Sequence, residues 1–232
     1  MRELLNDIFT GLQIPADISA FEKYCDMLLQ VNQVMNLTAI TEKSEVAVRH
    51  FADSAALLNA YDFKNKKVID VGCGAGFPGL PIRICEKSVS LTLLDALQKR
   101  IDFLQDVCAG LGFEDVECIH ARAEELAAKE EYRESYDIAV SRAVADLSML
   151  CELTLPFVRV GGVFIAMKAS DCDAELDAAR NAIETLGGEL CERRDYPLHD
   201  TGITRTALII RKVRETPQKY PRRFAKIKSK PL

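Results

Sequence analysis

From residue 66 onward the sequence predicts an α/β fold: a doubly wound, Rossmann-like sheet of seven mostly parallel strands, ending in an antiparallel hairpin and preceded by a helical extension. Three observations predict it. Short Val/Ile/Leu runs alternate with amphipathic runs, as a parallel sheet covered on both faces requires. A glycine-rich turn follows the first of those runs. Two strand-like runs near the end are separated by only a short turn, and strands joined that tightly pair antiparallel.

The elements follow in order. Ile18, Phe21, Tyr24, Cys25, Leu28 and Leu29 recur at helical spacing behind Asp17 or Ser19, either of which can cap the start. A second helical run over about 44–59 carries Val46, Val48, Phe51, Ala55 and Leu58, with the break MNLTAIT before it. Strands are expected at 66–71, 90–95, 116–120, 136–141 and 162–167, with helices between them at 79–86, 97–111, 122–129 and 146–157. A long helix over about 171–187 stops at Gly187-Gly188, a suitable C-cap pair. Strands over 189–197 and 204–213 then form the hairpin. The chain therefore divides into a helical extension packed on the body (1–62), the sheet domain (63–213) and a basic tail (214–232).

With 48% apolar and 28% charged side chains in 232 residues, a disordered or collagen-like chain is excluded. No run approaches the ~18 to 20 apolar residues of a membrane helix. The opening MRELLNDIFTGLQ has no apolar core of a secretory signal, so a cytoplasmic protein is expected, acting as a monomer. The eight cysteines lie ten or more positions apart with no CxxC pair, so no metal site is expected and the thiols read as reduced and mostly buried. Charge is unevenly placed: residues 205–232 carry ten basic side chains against Glu215 alone, +9, while the rest of the chain carries −14. A basic end on an acidic body suits a polyanion such as RNA, or serves as a solubilising tail.

The sharpest motif is Val68-Ile69-Asp70-Val71-Gly72-Cys73-Gly74-Ala75-Gly76-Phe77-Pro78-Gly79. Alternating glycines allow a tight turn and close approach of a ligand, and Asp95 closes the next strand where a ribose hydroxyl would be bound. Nicotinamide dinucleotides and S-adenosylmethionine share this pattern, so an NAD-dependent oxidoreductase is the runner-up. Three details favour S-adenosylmethionine. Asp70 sits where an acid can face a cationic amino-acid moiety, Phe77-Pro78 obstructs the bare helix N-terminus a diphosphate prefers, and the terminal hairpin is unlike a six-stranded dinucleotide sheet.

Nearly the whole chain resembles the bacterial 16S ribosomal RNA guanine-N7 methyltransferase family, once called glucose-inhibited division protein B, with a class I S-adenosylmethionine-dependent methyltransferase fold. The resemblance rests on the glycine loop together with Asn36-Leu37-Thr38, Arg49-His50-Phe51-Ala52-Asp53-Ser54 and Leu93-Leu94-Asp95-Ala96-Leu97-Gln98-Lys99-Arg100. It continues in Arg122-Ala123-Glu124-Glu125, Ser141-Arg142-Ala143 and Lys219-Tyr220-Pro221-Arg222. It implies that Gly72 and Phe77 line the cofactor loop, with Asp95 at the ribose, Ala123-Glu124 at the adenine and Arg142 completing the pocket. With Asp70, Gly74 and Gly76 these make up the expected cofactor site. It also implies 16S RNA, free or in the 30S subunit, as partner. Val31 stands where many relatives have Trp, and Lys168-Ala169-Ser170 replaces the usual Lys-Gly.

Chemistry narrows the acceptor independently. There is no Pro-Cys pair for a cytosine C5 nucleophile, and Ser141-Arg142-Ala143-Val144 stands where an adenine-amine enzyme would carry Asn/Asp-Pro-Pro-aromatic. Guanine N7 has a free lone pair, so alignment alone can serve and no general base is required. Arg142 is the candidate catalytic residue, bridging cofactor and acceptor, with a structural ion pair as the alternative. Asn36, His50, Lys168, Lys219, Arg222 and Arg223 are the candidate RNA contacts. Asn36 equally suits a cap on the next helix and His50 a structural role. A non-catalytic RNA-binding assembly factor is the remaining alternative.

Overall fold

The computed structural model of the chain describes residues 1–142 and 145–232. Strands β1 (Lys67–Val71), β2 (Ser90–Asp95), β3 (Glu117–His120), β4 (Tyr136–Arg142), β5 (Val158–Ala169), β6 (Gly188–Pro197) and β7 (Thr204–Lys212) form one sheet in the order β3-β2-β1-β4-β5-β7-β6. The first five pair parallel, and β7 runs antiparallel between β5 and β6, as the sequence predicts. β5 starts four residues earlier than expected, at Val158 rather than 162. A bulge carries Gly161, at φ 86°, between Val158 and Val163, so the Gly161-Gly162 pair interrupts the pairing without ending the strand.

Both faces of the sheet are buried, which is why its strands read as continuous apolar runs. Val68, Leu93, Ile138, Val163 and Ile209 pack on one side with α1 (Arg2–Leu12), α2 (Ile18–Met35), α6 (Gly79–Cys85) and α7 (Gln98–Leu111). Ile69, Leu94, Ala139, Phe164 and Leu208 pack on the other with α8 (Ala123–Leu126), α9 (Leu147–Thr154) and α10 (Asp173–Thr185). The extension thus completes one of the two layers.

Two local departures matter for the site. The helical run expected over about 44–59 is broken into α3 (Lys43–Val46), a π turn (Ala47–Ala52), α4 (Asp53–Ala55) and α5 (Leu57–Ala60). A π turn shifts the phase of the next helical turn and often marks a functional position; this one carries Arg49 and His50. Asn36 closes α2 in a left-handed conformation (φ 48°), so it ends the preceding helix and does not cap the next one.

The basic C-terminal stretch is fastened to the body. Arg133 donates to Thr216 O (2.7 Å) and Tyr220 O (2.9 Å), Thr216 and Tyr220 are buried, and α11 (Phe224–Ser229) buries Ile227. All eight cysteines are free; Cys191 is exposed, and Cys85 and Cys118 half-buried.

Candidate cofactor and acceptor site

The site lies where parallel strands end and α/β sheets bind ligands. The loop after β1 turns tightly, with Gly76 at φ 101°. A Cβ there would meet Tyr24 Oη at 2.6 Å and Leu80 Cδ1 at 2.7 Å, so only glycine fits. Tyr24, on α2, donates to Ala75 O and stacks on Phe77 with centroids 5.5 Å apart. The helical extension therefore shapes the loop directly, a role the helical spacing of Tyr24 alone could not separate from core packing.

Beneath the loop, Asp70 is fully buried. Its Oδ2 accepts from Gly79 N at 2.7 Å, while Oδ1 is buried without a partner among the described residues. Burial pushes this carboxyl up to about 7, against the opposing pull of the Gly79 N–H. Asp95, also buried, accepts from Gly74 N (3.0 Å) and Arg100 Nη1 (3.1 Å) on Oδ2 and from Leu97 N (2.9 Å) on Oδ1. A cavity of about 520 Å³ opens over this floor, lined by Gly72, Gly74, Phe77, Asp95, His50 and Arg142 among others.

Two further cavities adjoin it. One, of about 170 Å³, shares Gly72, Asp95 and Arg122 with it and is lined by Ala123, Glu124, Met149, Leu153 and Phe224. Glu124 is buried there, holding Arg122 Nε at 3.1 Å. The other, of about 380 Å³, shares His50 and Arg142 with the loop cavity and is lined by Arg49, Asp53, Met167, Lys168 and Arg205.

Arg142, at the end of β4, organises that junction. Its Nη1 donates to Asp53 Oδ2 (3.1 Å) and Arg49 O (3.0 Å), its Nη2 to His50 Nδ1 (3.0 Å). Nδ1 also lies 3.1 Å from Arg49 O, but a guanidinium cannot accept, which favours an unprotonated Nδ1 facing Arg142 and an Nε2–H donating to Thr38 Oγ1 at 2.8 Å. The imidazole stacks on Phe77 at 4.4 Å, and Arg142 lies over the same ring at 5.0 Å. Burial, together with the nearby Arg142 charge, pushes His50 down to about 3. Asp53 is buried between Arg142 and Tyr196, whose hydroxyl donates to Oδ1 (3.1 Å). Arg205 Nε stands 3.8 Å from that oxygen, buried and without a hydrogen-bond partner among the described residues.

The expected RNA contacts do not all gather here. His50 and Lys168 line the 380 Å³ cavity, but Lys168 Nζ is already held by Glu175 Oε1 (2.5 Å) and Ala145 O (3.1 Å). Lys219 and Arg223 are exposed on the C-terminal segment. Arg222 forms a bidentate pair with fully buried Glu152, Nη2 to Oε2 at 2.6 Å, and so anchors that segment. A sequence shows the arginine but not the acid that will claim it. Asp53, Arg205 and Phe224 were missed as site residues. Asp53 sat within the Arg49–Ser54 motif, whereas Arg205 read only as tail charge. Ala143 and Val144 of the loop after β4 lie outside the described residues.

The residues fit S-adenosylmethionine. Gly72 and Gly74 bring bare backbone to the larger cavity, its floor offers Asp95 where a ribose would lie, and the smaller cavity is a largely apolar slot with Glu124 at its rim and Asp95 shared with the floor. No group of His, Cys, Asp and Glu among the described residues could hold a metal ion, and no helix among them is long and apolar enough to cross a membrane.

Comparison with known proteins agrees. The family model GidB, rRNA small subunit methyltransferase G, matches residues 17–194. A ribosomal RNA small subunit methyltransferase G of Alkaliphilus oremlandii is 45% identical over 100% of this chain and 99% of its own length. Its namesake from Bacillus cytotoxicus is 48% identical over 90% of this chain and 88% of its own. Among solved structures, TrmN from Thermus thermophilus superposes with a TM-score of 0.53 at 17% identity, covering 72% of this chain and 53% of that one. M. jannaschii TYW2 in complex with AdoMet gives 0.53 at 14% identity, covering 65% and 70%. These two structural likenesses are of fold.

Proposed function

The chain belongs to the GidB family of rRNA small subunit methyltransferase G, and from that premise we propose that it transfers a methyl group from S-adenosylmethionine to N7 of a guanine in 16S ribosomal RNA. One observation carries the two-substrate reading: the loop cavity and the 380 Å³ cavity meet at Arg142 and His50, so a donor in one faces an acceptor in the other.

Bound against the glycine loop, S-adenosylmethionine supplies an electrophilic methyl group on a sulfonium. The protein's work is placement. Asp95 Oδ1 accepts one hydrogen bond, from Leu97 N, and keeps capacity for a ribose hydroxyl. Ala123 and Glu124 border the slot for the adenine. Arg142, fixed by Asp53, Arg49 O and His50, sets the wall between donor and acceptor. Both nitrogens of His50 are engaged, so it acts as a positioning group. N7 brings its own lone pair, and no proton need leave before attack. A guanine within structured RNA would have to be splayed out to reach this junction between the two cavities, with Arg49 and Arg205 beside its phosphates.

The test is transfer of labelled methyl from S-adenosylmethionine to 16S RNA, protein-free and within 30S subunits, followed by nucleoside analysis. Label in 7-methylguanosine is the expected result; label in any other nucleoside overturns the N7 assignment.

A further inference from the structure

The slot assigned to adenine has a wall that comes from the far end of the chain. Val71, Leu94, Ala123, Met149 and Leu153 line it from β1, β2, α8 and α9, and Phe224 lines it from the start of α11. The Arg122 guanidinium lies over the Phe224 ring at 4.0 Å, and Arg122 in turn holds Glu124 at the same slot. Phe224 and the cation over its ring therefore both border a largely apolar cleft, a setting suited to a flat aromatic ligand.

The position is also fixed. Two residues before Phe224, Arg222 is locked to Glu152 of α9 by its backbone N–H (2.8 Å), Nε and Nη2. Further back, Arg133 holds the Tyr220 and Thr216 carbonyls, and Glu134 accepts from Thr216 N at 2.6 Å. Past it, Ile227 is fully buried. Anchors on both sides of Phe224 hold the segment in place, and the residue they present to a cavity is an aromatic ring.

We propose that Phe224 forms the C-terminal wall of the adenine subsite, which makes segment 216–229 part of the cofactor site and not only a carrier of basic charge. The inference rests on the S-adenosylmethionine reading. Flat, π-rich and carrying an amine that a carboxylate can accept, adenine matches a slot with aromatic and apolar walls and Glu124 at its edge.

Full-length wild type, F224A and F224Y are titrated calorimetrically with S-adenosylhomocysteine, and by competition with S-ribosylhomocysteine, the same ligand without its base. Removing one aromatic–base stack should weaken S-adenosylhomocysteine about tenfold or more in F224A. F224Y should stay within about twofold of wild type, and S-ribosylhomocysteine should bind both variants as it binds wild type. F224A binding S-adenosylhomocysteine like wild type, or losing both ligands equally, overturns the proposal and leaves the cofactor reading intact. Wild type failing to bind S-adenosylhomocysteine overturns the cofactor reading itself.

Discussion

Arg142 donates from Nη2 to His50 Nδ1 at 3.0 Å, which joins the end of β4 to the π turn and favours the Nε2–H tautomer of the imidazole. The same guanidinium pairs with Asp53, and Arg142 and His50 form the wall common to the two cavities. Removing the guanidinium unties the junction and leaves a buried carboxylate short of a partner. R142A should lower kcat/KM for methyl transfer by at least about 100-fold and cost on the order of 3 kcal/mol of stability. R142K keeps a charge for Asp53 but cannot reach Asp53, Arg49 O and His50 together, so it should recover stability more than activity. Transfer assays and urea midpoints on both variants check this; full activity in R142A would remove Arg142 from the mechanism.

Half-buried His50 and fully buried Asp70 oppose one another in pH dependence. His50 is held at about 3 against an ordinary 6.5, so the unfolded chain binds the extra proton between those values. Its contribution is fully present above 6.5 and falls by about 1.4 kcal/mol per unit as pH drops toward 3. Asp70, raised to about 7 from 3.8, does the reverse: the folded state keeps its proton, and stability falls as pH rises from 3.8 to about 7. Between 3.8 and 6.5 the two slopes offset. Relative to wild type, H50Q should therefore tilt stability downward with rising pH in that window, and D70N, whose amide oxygen can still accept from Gly79 N, should tilt it upward. Urea unfolding from pH 4 to 7 decides; parallel curves for all three proteins would show that neither group is perturbed as placed.

The seven strands, parallel up to a terminal hairpin, were legible because burial on both faces leaves a composition signal: Val68 and Ile69 are both core, on opposite sides of β1. The glycine loop was legible because its backbone demands a residue type. Pairings made by the fold were not. Lys168 and Arg222 are cations in the sequence, and only the packing of α10 and α9 shows that Glu175 and Glu152 already hold them. Phe224 was hidden for the same reason, since a charged neighbourhood disguises one aromatic residue aimed at a cavity. The π turn at Ala47–Ala52 has no composition of its own, so Arg49 and His50 read as residues of an ordinary helix.

The Arg222–Glu152 pair makes a prediction that separates anchoring from RNA contact. Glu152 is fully buried and accepts from Arg222 N, Nε and Nη2. R222A should destabilise the protein by about 3 to 5 kcal/mol because it strands that charge. Replacing both partners with methionine should cost much less. Thermal or urea unfolding of the single and double variants tests it, and a harmless R222A would show that the pair does not form in solution.

Lys219 and Arg223 remain as exposed cations on that anchored segment, with Lys226 and Lys228 following on α11. Their charges are held in a fixed array by the Arg133 and Glu152 anchors, so they can meet phosphates without the ordering cost a loose tail would incur. Counterion release then sets the readout. For each phosphate that the double variant K219Q/R223Q no longer neutralises, the slope of log affinity against log salt should shrink by about 0.7 to 0.9. Neither side chain lines the cofactor cavities, so S-adenosylhomocysteine affinity should not change. Filter binding of 16S RNA across a salt series measures the slope. An unaltered slope would assign these residues to solubility and leave RNA docking to the Arg49 and Arg205 side of the site.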